Sequence, residues 1–164
     1  FFASSNTHKF EEVKRILSKI GLEINFSKVT LEEIQSDSLG EIAKRKAIDA
    51  FSRVQKPLII EDDGLFIDSL NGFPGPYSSY VQKTIGNKGI LNLLKNSRDA
   101  KFVSTITYCD KNKLKSFQGT LFGKISISER VEDGVLILYL FQKIKQRHMV
   151  NCLIRIIFHT DTKH

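Results

Sequence analysis

The sequence predicts an α/β or α+β domain in which strands and helices alternate. Apolar residues recur at helical spacing in two segments, 10–20 and 39–54. Short runs rich in branched residues, Leu58–Ile60 and Lys101–Tyr108, are typical of strands. The 164 residues fit one domain of ordinary size, and two lobes around a cleft are also compatible with this length. We therefore expect loops at strand ends to carry the functional site.

The N-terminal part is predicted to form a strand followed by an amphipathic helix. Because the chain starts at Phe1 rather than Met, we expect a few residues to be missing and the first strand to be shortened to residues 1–3. Gly21 is predicted to stop the helix, and residues 24–29 are predicted to form a second strand. The apolar residues that share one helical face are Phe10, Val13, Leu17 and Ile20.

A second helix is predicted over Leu39–Val54. It is expected to end there because Pro57 forbids its continuation. The residues at helical spacing are Ile42, Ala43, Lys46, Ala47, Ala50 and Phe51. The run Leu58–Ile60 is then predicted to be a buried strand whose carboxyl end exposes carboxylates. Residues 65–70 fit either a turn of helix or an extended edge.

Three further elements are predicted before residue 130. Residues 86–94 form a short helix, and Lys101–Tyr108, rich in Val, Thr and Ile, forms a strand. Residues 114–119 and 121–128 are predicted to be the two strands of a hairpin, with Gly119 near the bend. The sequence contains no internal repeat, low-complexity tract or linker.

The composition favours an anionic small molecule as the partner. Twenty-five basic residues exceed eighteen acidic ones, but the charges are interspersed, so we expect a phosphate-bearing ligand rather than a specific nucleic acid. Cys109 and Cys152 are far apart and lack metal-ligand spacing, which favours a reducing, cytoplasmic compartment. No stretch of about 18 apolar residues is present, so no membrane partner is expected.

The start of the first helix has residues suited to phosphate. Ser5 and Asn6 precede it, and Lys9 adds a positive charge one turn in. Backbone N–H groups at a helix start attract anions, so these residues predict a phosphate cradle. The alternative is an ordinary N-cap, in which a Ser or Asn side chain satisfies those N–H groups itself.

Two groups of charged residues predict a metal site. Glu61, Asp62 and Asp63 place several carboxylates together, which a cation such as Mg²⁺ would neutralise. An acidic turn is the alternative. Glu41 and Lys46 share the second helix, so a carboxylate on the metal and an ammonium on a phosphate are compatible with their spacing; a solvated charged face is the alternative.

A tight loop follows the acidic residues. Residues 72–77 read Gly-Phe-Pro-Gly-Pro-Tyr, a composition that lets the backbone approach a flat ligand closely. A rigid turn without a ligand explains the same composition.

In order and spacing, these segments resemble the inosine triphosphate pyrophosphatase family. The resemblance is carried by SSNTHKFEEVKRIL at residues 4–17, GEIAKRKA at 40–47 and IIEDDGLFIDSLNGFPGPYSSYV at 59–81. FVSTITYCD and FQGTLFGKIS also look like the family, so the resemblance covers roughly residues 1–130. It implies an elongated mixed β-sheet flanked by helices, with two lobes around a nucleotide cleft. The implied reaction is the Mg²⁺-dependent hydrolysis of non-standard purine nucleoside triphosphates, such as ITP, dITP and XTP, to the monophosphate and pyrophosphate.

The resemblance also implies roles for individual residues. Glu41 and Asp62 would bind Mg²⁺, and Asp62 would accept the proton of the attacking water. Lys46 and Asp63 would touch phosphate. The residues that would hold the triphosphate are Ser4, Ser5, Asn6, Thr7, His8 and Lys9. Ser5 departs mildly from the glycine that many members have there. A homodimer is expected from the resemblance alone.

Downstream of residue 130 the pattern of the family stops. Members continue with an aromatic-Asp-Pro segment that stacks on the purine and end in a Ser-His-Arg motif that reads the base, whereas residues 135–164 contain neither. Allowed codons for this tail, re-read from the third base of each displayed codon, give both motifs in order. We therefore predict a frameshift near residues 130–134, so that 1–130 is the pyrophosphatase domain and 131–164 an aberrant tail.

Two other interpretations stay open at this point. A Maf-type nucleotide pyrophosphatase has a similar cleft but prefers modified pyrimidines. The sequences of residues 4–9 and 61–77 resemble the purine family more closely. The other alternative is an inactive product that binds phosphates or nucleic acid non-specifically through its basic excess. Magnesium-dependent release of pyrophosphate distinguishes the enzymes from this product.

Overall fold

The structure is a computed structural model that describes residues 1–95 and 97–126. The predicted α/β class is confirmed, because strands and helices alternate and the described strands join one mixed sheet. The elements, in chain order, are β1 Phe2–Ser4, α1 Thr7–Ser18, β2 Phe26–Lys28, α2 Leu39–Val54, β3 Leu58–Ile67, a 3-10 helix Asp68–Leu70, β4 Pro74–Gly75, α3 Ser78–Thr84, α4 Gly86–Leu93, β5 Asp99–Cys109 and β6 Leu114–Lys124.

The sheet has the strand order β2-β1-β3-β5-β6, and β4 pairs with β3 away from this path. β1 is parallel to both of its neighbours: Phe2 pairs with Phe26 on one side and with Ile59 on the other. β4 is antiparallel to β3. Helices α1 and α2 therefore serve as the crossovers that parallel strands need.

The described residues form two compact units. The first comprises Phe1–Asp62 and Thr105–Gly119, and the second comprises Asp63–Ser104 and residues 120–126. No helix in residues 1–95 and 97–126 is both long and apolar enough to span a bilayer.

The first unit buries two apolar clusters that β3 separates. Side chains alternate along a strand, so Ile59 points to one face of the sheet and Leu58 and Ile60 point to the other. One cluster joins α1 to the Ile59 face: Phe2, Phe10, Val13, Ile16, Leu17, Ile59 and Ile106. The second joins α2 to the opposite face: Ala3, Ala43, Ala47, Ala50, Leu58, Ile60 and Cys109. Coverage of both faces explains the uninterrupted apolar run at the start of β3.

The second unit has its own core. It is built from the end of β3, the helices α3 and α4, the start of β5 and the residues that follow α4 and β6. Its buried members are Leu65, Ile67, Val81, Ile90, Leu94, Ala100 and Ile125. The sequence analysis did not predict α3, although it predicted α4 at residues 86–94. The segment is only seven residues long and has one buried residue, Val81, so no helical periodicity marks it.

The predicted hairpin around Gly119 is wrong. β6 continues without a bend through Gly119, which is buried within the strand. The chain instead reverses after β5, where Asp110 Oδ1 accepts hydrogen bonds from the N–H groups of Asn112 and Lys113, both at 2.7 Å. Asp is well suited to this turn because its side chain can bond to the backbone two and three residues ahead.

Two predicted boundaries also differ. β3 extends to Ile67, so residues 61–64 lie inside the strand rather than after it, and residues 65–67 are strand and 68–70 a 3-10 helix. α1 ends at Ser18, two residues earlier than predicted, and Ile20 is 41% exposed rather than on the buried face. Gly21 follows with a φ of +73°, a left-handed conformation that favours glycine and that does not continue an α-helix.

Candidate active site

The start of α1 is held by its own side chains. Asn6 Oδ1 accepts hydrogen bonds from the N–H groups of His8 at 2.9 Å and Lys9 at 3.4 Å, while Ser4 Oγ accepts one from the N–H of Asn6 at 3.0 Å. Asn6 is therefore the N-cap that the sequence analysis kept as the alternative. Capping does not test the predicted contact of residues 4–9 with a triphosphate.

Alternation along β3 assigns each acidic residue to one helix. Glu61 follows the side of Ile59, where α1 packs, and Asp62 follows the side of Leu58 and Ile60, where α2 packs. Lys9 of α1 lies 4.0 Å from Glu61 Oε2, and Lys46 of α2 lies 2.8 Å from Asp62 Oδ2. Neighbouring carboxylates of one strand are thus paired with two different lysines.

Asp62 is the more informative of these carboxylates. Its side chain is 14% exposed, and burial raises the pKa of this carboxyl above its usual value of 3.8. The ammonium groups of Lys46 and Lys9 lower the pKa, and the carboxylate of Glu33 raises it further. A buried carboxylate with a raised pKa is a stronger base toward water than an exposed one.

Lys46 is shared by two carboxylates. Its Nζ lies 2.6 Å from Glu33 Oε1 and 2.8 Å from Asp62 Oδ2, and its side chain is 12% exposed. The structure therefore places Lys46 beside Asp62 of β3, within the first unit. Glu33 was missed by the sequence analysis, since no periodicity or motif distinguishes it from the neighbouring Glu32.

Glu41 lies at the start of α2, and its side chain contacts Ser36. Its Oε2 accepts a hydrogen bond from Ser36 Oγ at 2.8 Å, and its N–H is capped by Ser38 Oγ at 3.3 Å. Glu41 remains exposed. Its predicted role as a metal ligand stays a prediction.

Asp63 is half-buried and belongs to the second unit. Its predicted contact with phosphate is therefore not tested by the arrangement of Lys9, Lys46 and Asp62 in the first unit. Within the part of the chain that the structure describes, no three His, Cys, Asp or Glu side chains are grouped closely enough to hold a metal ion by themselves.

The fold and the site define a mixed α/β protein in which two lysines meet the carboxylates of a buried central strand. Comparison with known protein families shows that residues 1–146 match the Ham1 family. The chain belongs to this family, and the resemblance seen in the sequence is confirmed.

Similar proteins of known sequence include two archaeal enzymes. A dITP/XTP pyrophosphatase of Methanopyrus kandleri is 45% identical over 136 residues, which are 81% of this chain and 72% of that protein. A dITP/XTP pyrophosphatase of Hyperthermus butylicus is 41% identical over 134 residues, 80% of this chain and 70% of that protein.

Solved structures show the same fold at lower identity. The Staphylococcus aureus Ham1 protein has a TM-score of 0.75 at 24% identity, covering 98% of this chain and 99% of that one. A HAM1 protein from Coxiella burnetii has a TM-score of 0.77 at 19% identity, covering 96% and 98%. These two similarities concern the fold of the chain.

Proposed function

We propose that this protein hydrolyses non-standard purine nucleoside triphosphates, such as ITP, dITP and XTP, to the monophosphate and pyrophosphate. Membership of the Ham1 family and the activity named for its archaeal relatives support the reaction. The observation that carries the proposal is the pair of Lys46 Nζ and Asp62 Oδ2, 2.8 Å apart and largely buried. A cation for phosphate and a base for water are both needed for such a hydrolysis.

Asp62 is the proposed general base. Its carboxylate accepts a proton from the water that attacks the triphosphate, and the burial that raises its pKa makes this transfer more favourable. Lys46 favours the ionised form of Asp62, because its ammonium group lowers the same pKa.

Lys46 and Lys9 are the proposed cations for phosphate. An ammonium group has three donors, so Lys46 has one donor for a phosphate oxygen in addition to those that face Glu33 and Asp62. The residues at the start of α1, where the helix dipole is positive, are proposed to bind the same triphosphate. These residues are Ser4, Ser5, Asn6, Thr7 and His8, and Asp63 is the last proposed phosphate contact.

Mg²⁺ is the proposed cofactor, with Glu41 and Asp62 as its protein ligands. Both offer carboxylate oxygens, the donors that this hard cation prefers. Mg²⁺ usually keeps several waters and takes one or two carboxylates together with substrate phosphates, so the lack of a three-residue cluster in residues 1–95 and 97–126 is compatible with this set. When bound, the metal would neutralise the triphosphate.

The test is the release of pyrophosphate from dITP and XTP by the purified chain, with dATP and dGTP as comparison substrates. We expect release with Mg²⁺ and its loss on addition of a chelator. Release of pyrophosphate from all four nucleotides at equal rates by a variant that carries the re-read tail would contradict the preference for non-standard purines. Modified pyrimidine nucleotides as the best substrates would favour the Maf-type interpretation.

The frameshift prediction concerns residues 130–164, which lie outside the described residues. We propose that residues 1–130 form the pyrophosphatase domain and that 131–164 replace the segment that reads the purine. A variant whose tail is replaced by the re-read frame, with its Phe-Asp-Pro and Ser-His-Arg segments, is expected to discriminate dITP from dATP better than the chain as given. Equal discrimination by both would contradict the proposal.

We also propose that the protein is a cytoplasmic homodimer without a specific nucleic-acid or membrane partner. The expectation of a dimer rests on the family resemblance. Sedimentation equilibrium with and without the replaced tail measures the mass directly. A monomer with both tails would contradict the homodimer.

A further inference from the structure

The segment between β2 and α2 is bonded along the length of α2. Three polar contacts connect them, and their partners on α2 run backwards as the segment runs forwards, so the two are antiparallel. In order along the segment, the contacts are Thr30 O with Arg53 Nη1 at 3.3 Å, Glu33 Oε1 with Lys46 Nζ at 2.6 Å, and Ser36 Oγ with Glu41 Oε2 at 2.8 Å. We call residues 30–36 the α2 strap.

Two of the strap's partners are residues that the proposed function assigns to substrate. Lys46 is the proposed phosphate ligand, and Glu41 is a proposed metal ligand. The strap gives Lys46 an anion, the carboxylate of Glu33, and it gives Glu41 a hydrogen-bond donor, the hydroxyl of Ser36. The charges and polarities that it supplies are those that a metal-bound triphosphate would supply.

The two carboxylates on Lys46 are held very differently. The Asp62 side chain is 14% exposed and belongs to a central strand, whereas the Glu33 side chain is 71% exposed and belongs to the irregular strap. Glu33 is the partner that solvent and ligands reach. An exposed ion pair contributes little stability, so Glu33 is the carboxylate that is replaced at low cost.

We propose that Glu33 competes with the substrate's phosphate for the ammonium group of Lys46 and thereby sets the affinity for triphosphate. A phosphate that approaches Lys46 meets two carboxylates on one ammonium, and like charges repel. Departure of Glu33 leaves the pair of Lys46 and Asp62 in place and gives the phosphate oxygen the position of Glu33 Oε1. This inference rests on the proposed role of Lys46.

The first test is binding of inorganic tripolyphosphate, measured by titration calorimetry at low ionic strength without divalent metal. Glu33→Gln keeps the shape of the side chain and removes its charge. We expect it to bind tripolyphosphate about three- to fivefold more tightly than the natural chain, which is the scale of an exposed ion pair. Glu32→Gln is the matched control, because Glu32 is the exposed neighbour with the same charge.

The same measurement on a Lys46→Met background localises the effect. Glu33→Gln is expected to change the affinity of that background no more than Glu32→Gln does, because the shared ammonium is gone. The gain in the natural background is also expected to shrink as salt is added. Equal or weaker binding by Glu33→Gln than by Glu32→Gln in the natural background would overturn the proposal, since Glu33 would then position Lys46 rather than compete for it.

Pyrophosphate release from dITP, assayed separately, tests the enzyme itself. A chain that fails to hydrolyse dITP but shows the selective gain for Glu33→Gln refutes the proposed function and supports the competition at Lys46. A chain that hydrolyses dITP but shows no selective gain supports the function and refutes the competition. Circular dichroism of the variants checks that each binding result comes from folded protein.

Discussion

Lys46 Nζ and Asp62 Oδ2 lie 2.8 Å apart, and their side chains are only 12% and 14% exposed. The pair joins the middle of α2 to the fifth residue of β3, two residues beyond the apolar run Leu58–Ile60. Burial of the carboxylate raises its pKa, and the nearby ammonium opposes this shift. Burial therefore makes Asp62 a stronger base, and Lys46 favours its ionised form.

Asp62→Asn is predicted to lower kcat by about 10²- to 10⁴-fold, the usual contribution of a general base. The amide keeps the shape of the side chain but cannot accept the proton of water. Asp68→Asn is the control, because Asp68 is exposed in the 3-10 helix. Steady-state release of pyrophosphate measures both variants, and a loss of less than tenfold would rule out Asp62 as the base.

Lys46→Met is predicted to lower kcat/KM about 10- to 100-fold and to move the acidic limb of the pH profile to higher pH. The sign follows from Lys46 lowering the pKa of Asp62: without it, that pKa rises further, so protonation inactivates the base at a higher pH. Lys44→Met, an exposed change on the same helix, is expected to leave the limb in place. If the acidic limb of the pH profile does not shift in Lys46→Met, Lys46 does not lower the pKa of Asp62 in the enzyme.

The buried face of each long helix could be predicted from sequence because burial leaves a periodic pattern. Ile42, Ala43, Ala47 and Ala50 are all buried as their spacing indicates. The predicted end of α1 failed at Ile20, because its hydrophobicity continues the pattern after the backbone has left the helix. Spacing reports which residues prefer burial, but the cap decides where a helix ends.

The candidate site was predictable only in part. Lys46 and Asp62 belong to motifs with family resemblance, so both were identified before their contact was known. Glu33 belongs to no motif, and its contact with Lys46 depends on how the strap lies along α2, a tertiary fact without local periodicity. The error at Gly119 has a similar origin, since a glycine inside a long strand and one at a bend look alike in sequence.

Gly64→Ala is predicted to destabilise the second unit by about 1–3 kcal/mol. A Cβ there would lie 2.9 Å from the carbonyl oxygen of Gly75 and 2.9 Å from Phe66 Cε2, so backbone as well as a side chain would have to shift. Gly40→Ala is the control: its Cβ would meet only Ser38 Oγ, at 3.9 Å, and alanine favours helix by up to about 1 kcal/mol. Urea unfolding of both variants measures the difference, and equal midpoints would contradict the crowding at Gly64.

The turn after β5 makes the free energy of unfolding depend on pH in the acidic range. Asp110 Oδ2 accepts a 2.6 Å hydrogen bond from the hydroxyl of Tyr108, and Oδ1 accepts two from the backbone of the turn. The bond from Tyr108 is the largest cause of a lowered pKa for Asp110, and burial raises the pKa of Tyr108 to about 12. Because the folded pKa of Asp110 lies below 3.8, its stabilisation is complete above pH 3.8 and is lost as pH falls through the folded value.

Asp110→Asn is therefore predicted to lower the free energy of unfolding by about 1–2 kcal/mol at neutral pH, since a neutral amide accepts these hydrogen bonds less strongly. Its deficit relative to the natural chain is expected to narrow in acid, where the natural carboxylate becomes protonated as well. Tyr108→Phe removes only the hydroxyl and is expected to cost about 1 kcal/mol at neutral pH, with the backbone bonds of the turn retained. Urea unfolding at a series of pH values down to about pH 3 follows all three proteins. A deficit for Asp110→Asn that is constant across this range would show that the carboxylate's charge does not stabilise the turn.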